Sequence, residues 1–220
     1  MIGLSTHRLI PTRFPTISLF DWVESSEELE QLAELEGLTN DRLKNEQGDI
    51  YLIHRDDRVF GPGATLLMAA FTHPGVSRFT DGSYGVYYAG DSLATAIAET
   101  IFHRELFLRA SNEISCLIQM REYIATIQQP LETLLLEKHA ELLHPDPAQY
   151  FISQTFAKTL REKQAWGLYY PSVRKPHSHC VAIFRPKAMS IPTQGCHLEY
   201  IWDGKKITQV RQSSAISNLA

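Results

Sequence analysis

Residues 86–120 read VYYAGDSLATAIAETIFHRELFLRASNEISCLIQM, and they constrain the fold more than any other stretch. VYYA (86–89) has the β-branched and aromatic composition of a strand. Asp91 or Ser92 can cap a helix over 91–108. EISCLIQM (113–120) returns to a strand, which EYIATI extends. A strand, a long helix and a strand in succession exclude both an all-α and an all-β chain. Elsewhere the two periodicities alternate irregularly. Pro11 and Pro15 keep residues 1–20 extended. ESSEELEQLAELEGL (24–38) reads as a helix with a Ser25–Glu28 capping box, apolar positions at Leu29, Leu32 and Leu35, and Gly37 as its stop. DIYLI (49–53) reads as a strand. GPGATLLMAAFTH (61–73) is a turn followed by a buried helix. LETLLLEKHAELL (131–143) and YFISQTFAKTLREKQ (150–164) read as helices. WGLYYPS (166–172) and CVAIF (180–184) read as strands, and HLEYIWDGKKITQV (197–210) as a hairpin turning at Asp203-Gly204. Without regular strand–helix alternation, the expectation is α+β: one domain, with a central mixed or antiparallel sheet flanked by helices.

The 220 residues suit one domain, and 44% hydrophobic with 21% charged residues is enough to build a core. A net charge of −4 offers no basic field for nucleic acid or an anionic membrane, so an anionic ligand must be held by a few placed arginines or lysines. No apolar run approaches a signal peptide or a membrane span. The three cysteines, Cys116, Cys180 and Cys196, are odd in number and widely spaced, which argues against a disulfide framework. These features lead to the expectation of a reduced, cytoplasmic protein.

Glu99 is the residue that packing alone does not explain. It borders the apolar stripe of its helix beside Ala96, with His103 one turn further on. Alanines at 94, 96 and 98 let a backbone or a flat ligand approach. A carboxylate there could bind a sugar hydroxyl or oppose a developing positive charge, although border carboxylates are ordinarily solvated or ion-paired. Arg8 in THRLIP and Arg78 before DGSYG carry planar forks that suit phosphate oxygens. Tyr87 and Tyr88 point to opposite faces of their strand, so one of them can face a cleft. Ser172 closes a strand in YYPSVR and has no nucleophile-elbow context. His177, His179 and Cys180, with His197, lack the spacing of a standard zinc site, and no metal is expected. GPGATL lacks the third glycine of a dinucleotide fingerprint.

Taken in order, HRLIPTRFP, GPGATLLMAAFTHPGVSRFTDGSYGVYYAGDSLATAIAETIFHRE and WGLYYPSVRKPHSHCVAIFRP resemble the RES domain family, which is named for an Arg, a Glu and a Ser. The resemblance implies a fold similar to ADP-ribosyltransferases. It implies activity on NAD, with inorganic phosphate or water as acceptor, or else transfer of ADP-ribose to a protein. It also implies a toxin that dimerises and is blocked by a small Xre-like helical antitoxin. A non-catalytic binding module that keeps the fold is the alternative from another class. NAD would be the substrate, with no resident cofactor. Residue by residue, Arg8 and Arg78 match the two family arginines, with His7 and Val-Ser-Arg-Phe departing from the family pattern. Tyr87, with Tyr88 adjacent, matches the strand tyrosine, Glu99 the helix glutamate and Ser172 the serine; Ser153 is a second serine candidate. The implied domain spans 1–210, with 20–60 as a helical insertion and 211–220 as a loose tail. Cleaving the nicotinamide–ribose bond passes through a sugar cation. Glu99 would oppose that cation. Arg8 or Arg78 would grip the diphosphate, Tyr87 or Tyr88 would stack on nicotinamide, and Ser172 would bind the carboxamide or a phosphate.

Overall fold

The computed structural model of the protein describes residues 1–12, 19–28, 31 and 48–213. Five α-helices among them are α1 (Leu19–Trp22), α2 (Ala64–Thr72), α3 (Leu93–Ala110), α4 (Leu136–His139) and α5 (Phe151–Glu162). The strands are β1 (Ser5–Pro11), β2 (Tyr87–Gly90), β3 (Cys116–Thr126), β4 (Glu132–Thr133), β5 (Gly167–Pro171), β6 (His179–Ile183), β7 (Thr193–Trp202) and β8 (Ile207–Ser213). They form one eight-stranded sheet in the order β4-β5-β6-β2-β1-β3-β7-β8. Every pairing is antiparallel except β4 with β5, which is parallel. The architecture is therefore α+β, a mixed sheet flanked by helices.

Strand alternation assigns each side chain to a face. Arg8 pairs with Tyr123 across β1 and β3, and Tyr87 with Ile183 across β2 and β6. The face carrying Tyr87, Ala89, Val181 and Ile183 is covered by α2, whose Leu67, Met68 and Phe71 share its core. On the opposite face Leu9, Met120, Leu198 and Tyr200 pack under Ala96 and Ile97 of α3. On that same face Leu168, Tyr170, Cys180 and Ala182 pack against Ala157 of α5. α3 begins where Ser92 accepts the Thr95 amide. It comes close to the sheet because Gly90 lacks a side chain: a Cβ there would lie 2.8 Å from the Ala96 nitrogen.

Three local readings are corrected. Residues 49–53 form no strand; Ile50–Leu52 is a 3-10 turn, because the Asp49 carboxylate accepts the Tyr51 amide and closes the chain locally. Residues 131–143 are not one helix. Leu134, Leu142 and Leu143 are buried, and the chain bends to bury all three. It gives two residues to β4 and then α4, followed by a 3-10 turn at Ala140–Leu143. β8 runs to Ser213, three residues into the stretch read as a tail, and 214–220 lie outside the described residues. The helix over 24–38 shows its start, where Ser25 accepts the Glu28 amide and Glu28 accepts the Glu24 amide. Leu29, Leu32, Leu35 and Gly37 lie outside the described residues. In the segment read as an insertion, Phe20, Val23, Ile50 and Ile53 join the α2 core. No helix among the described residues is long and apolar enough to cross a membrane.

Candidate active site

The α3 face of the sheet collects the chemistry. Glu99 is half-buried on the second turn of α3, and Ser172 follows β5. The Ser172 hydroxyl donates to Glu99 Oε1 at 2.6 Å. It also accepts the Arg174 and Lys175 amides, at 3.3 and 3.0 Å. With both amides directed at its lone pairs, its single proton goes to Glu99, so the loop after β5 fixes the carboxylate. Cys180 lies 3.7 Å from the same oxygen. Burial, and then the charge of Glu99, push its thiol well above the usual range, so it stays protonated and is no thiolate nucleophile.

Arg78 and Tyr88 complete this side. Tyr88 pairs with Ala182, on the face of Tyr170 and Cys180. Its hydroxyl accepts the Phe79 amide at 3.0 Å and bonds Ser77 Oγ at 2.9 Å, which ties β2 to the turn carrying Arg78. That turn is closed by paired backbone bonds between Ser77 and Thr80. Arg78, 8% exposed, donates to the carbonyls of His144 (2.7 Å) and Leu142 (3.4 Å) and to the Tyr150 hydroxyl (3.3 Å). Its guanidinium sits 4.5 Å above the Tyr150 ring. Burial pushes the Tyr170 hydroxyl well up; Cys180, Glu99 and Tyr88 act in the same sense and Arg78 in the opposite one. His103, one turn beyond Glu99, is held below its ordinary value by burial and by Arg174, Arg78 and Arg104, while Glu99 acts in the opposite sense. Glu99, Arg78, Tyr88, Ser172 and His103 therefore share one electrostatic neighbourhood.

Not every residue picked from the sequence joins it. Arg8 and Tyr87 lie on the other face, under α2, with the guanidinium 4.6 Å above the tyrosine ring. Burial lowers the Arg8 pKa and raises that of Tyr87 to about 12. Arg8 Nη1 and the Tyr87 hydroxyl are buried without a partner. The sheet separates both from Glu99, so of the adjacent tyrosines it is Tyr88 that shares the carboxylate's face. Ser153 is 1% exposed, and its hydroxyl is committed to the Arg78 and Tyr150 carbonyls at 2.6 and 2.9 Å. It supports the arginine turn and presents nothing to a ligand. His179 and Cys180 are consecutive in β6 and point to opposite faces, where His179 stacks on Tyr169 at 4.7 Å. Among the described residues no group of three or more His, Cys, Asp or Glu side chains could hold a metal ion.

Tyr170 and Arg174 were not singled out in the sequence, and Cys180 was weighed there only as a metal ligand. The signal for Tyr170 and Cys180 is period-two alternation: once Ser172 is placed beside Glu99, Tyr170 shares its face, and Cys180 is paired with Tyr170. Arg174 reaches back over the Phe102 ring at 3.3 Å, a contact with no sequence signature.

The uncharacterized protein y4oC of Sinorhizobium fredii (strain NBRC 101917 / NGR234) is 27% identical to this chain over 208 residues, which cover 92% of this chain and 84% of that protein. Residues 52–203 match the RES domain. The match takes in Arg78, Tyr88, Glu99 and Ser172 and leaves Arg8 outside. It spans more than half of the sequence, and the chain belongs to the RES domain family.

Proposed function

We propose that the protein cleaves NAD at the nicotinamide–ribose bond, passing ADP-ribose to inorganic phosphate or water, and acts as the toxin of a toxin–antitoxin pair. The observation that carries this reading is the 2.6 Å bond from Ser172 to Glu99, which joins residues 73 apart and aims a fixed carboxylate from an alanine-lined helix. In the reaction the C–N bond breaks and its electron pair leaves with nicotinamide, which changes from cation to neutral molecule. Positive charge grows on the ribose, and the fixed carboxylate of Glu99 stabilises it without reorganising. The acceptor oxygen then bonds to the ribose carbon, and its proton is released to solvent. In this reading Tyr88, which shares the face of Glu99, is the tyrosine assigned to the nicotinamide ring. The positive potential of Arg78, Arg104 and Arg174 attracts the diphosphate. Arg78 holds the wall between Leu142 and Tyr150 rather than serving as an open fork. The implied Xre-like antitoxin and the homodimer belong to this same reading, as does the likeness to ADP-ribosyltransferase folds.

The test is nicotinamide release from NAD by purified protein, with and without phosphate. Wild type is expected to release it, and Glu99→Gln to lose at least roughly a hundredfold in rate while keeping its fold. Label from NAD that stays on protein would move the acceptor to a polypeptide. No release from wild type, or undiminished release from Glu99→Gln, overturns the proposal.

A further inference from the structure

A cavity lies at the other end of β2 and β6 from Glu99. Its volume is about 240 Å³, below the range for drug-sized ligands and far too small for a dinucleotide. Gly85 and Phe184 line it, whereas Gly90 and Cys180 lie near Glu99. At about 3.3 Å per residue, Gly85 and Gly90 are separated by roughly 15 Å.

Two guanidinium groups and one carboxylate meet there. Arg185 is saturated: Nε and Nη2 each donate to Asp57 at 2.8 Å, Nη1 donates to the Gln164 carbonyl at 3.2 Å, and the group stacks over Trp166 at 3.8 Å. Arg161 is not. It packs over the Tyr84 ring at 4.6 Å, and Nη2 donates to the Leu52 carbonyl at 3.3 Å. Among the described residues Nε and Nη1 meet no acceptor, and no carboxylate pairs with this group. The remaining walls include Phe71 and Phe184, both buried. A planar cation held in place by an aromatic ring and a carbonyl, beside the phenylalanines Phe71 and Phe184 and without a carboxylate partner among the described residues, matches a ligand with a flat apolar body and one carboxylate head.

We propose that this cavity is a binding site for a small aromatic carboxylate, with Arg161 as its anchor. The proposal is independent of what happens at Glu99. It is tested by titrating the protein with benzoate, using benzyl alcohol as a neutral control and inorganic phosphate as an anion without an apolar body, and following backbone amides by NMR. Benzoate is expected to shift the Gly85 and Phe184 amides saturably, benzyl alcohol and phosphate much less. Arg161→Gln should weaken benzoate roughly ten- to hundredfold, the loss expected for a charge-assisted hydrogen-bonded pair. Because Arg161 also braces Tyr84, Gln164→Glu is the second variant: it places a competing carboxylate at the rim without touching that packing and should weaken benzoate as well. Glu99→Gln should bind benzoate like wild type. Absence of saturable shifts at Gly85 and Phe184, shifts confined to the Glu99 side, or unchanged affinity in Gln164→Glu overturns the proposal.

Discussion

At the scale of single residues, the charge on one side chain reports the position of the others. Desolvation holds the His103 imidazole below its ordinary value, the three arginines act in the same direction, and Glu99 opposes them. Removing a contribution that raises the pKa must lower it further. Glu99→Gln is therefore expected to move the His103 midpoint down, and Arg174→Ala to move it up, in a histidine NMR titration. A midpoint unchanged in both variants would mean that Glu99 and Arg174 do not face His103. The same scale explains why Ser172, and not Ser153, acts on the carboxylate. Both are serines near a candidate site, but a hydroxyl is defined by where its one proton goes, and that of Ser153 goes to backbone carbonyls.

At the scale of elements, the site depends on how closely α3 lies on β2. A methyl group at Gly90 would meet the Ala96 nitrogen at 2.8 Å and the Thr95 side chain at 2.9 Å. Gly90→Ala is expected to cost about 1–3 kcal/mol of stability, as overpacking does. It should also lift the first turn of α3 and so depress any activity that depends on Glu99, both read from thermal melts and turnover on the same preparation. A fully stable, fully active variant would show that the helix does not need this contact. The major elements were legible because their periodicity is long and their caps are chemical: Ser92 for α3, the amphipathic spacing of α5, Asp203-Gly204 for the last hairpin. Residues 131–143 were not, because a run of leucines has helical composition whether it buries one stripe or bends to bury its two ends. The Glu99–Ser172 pair was legible as residue types but not as a contact. That Arg8 and Tyr87 face away from Glu99 was not legible, because facing on a sheet is set by register, and register between distant strands is not written in either strand alone.

At the scale of the whole molecule, stability at acid pH has an identifiable contributor. Glu122, 4% exposed, is raised by burial, but the Cys196 amide at 2.9 Å and His7 at 2.6 Å more than offset this, and its pKa ends below the usual value. A carboxylate with a folded pKa below its unfolded one stabilises the fold above the unfolded value, and that contribution is lost as pH falls through the folded one. Glu122→Gln is expected to be less stable than wild type at neutral pH by roughly 1.5–3 kcal/mol, the worth of charged hydrogen bonds. The gap should close below about pH 4 in denaturant melts, near the unfolded carboxylate range. A gap independent of pH would assign the loss to shape rather than charge.

The position of β1 carries a consequence for assembly. Residues 5–11 precede the other strands of the sheet in the chain, yet they lie between β2 and β3, with β4-β5-β6-β2 on one side and β3-β7-β8 on the other. They are the seam of the sheet. Remove them and what remains is two half-sheets, each with a bare edge able to pair with a foreign strand. Until both neighbours have emerged, β1 has nowhere to dock, so closure is a late, long-range event. Glu99 and Ser172 descend from the same half, whereas the floor beneath α3 draws on both. A chain arrested before the seam closes would hold its carboxylate over an unfinished platform.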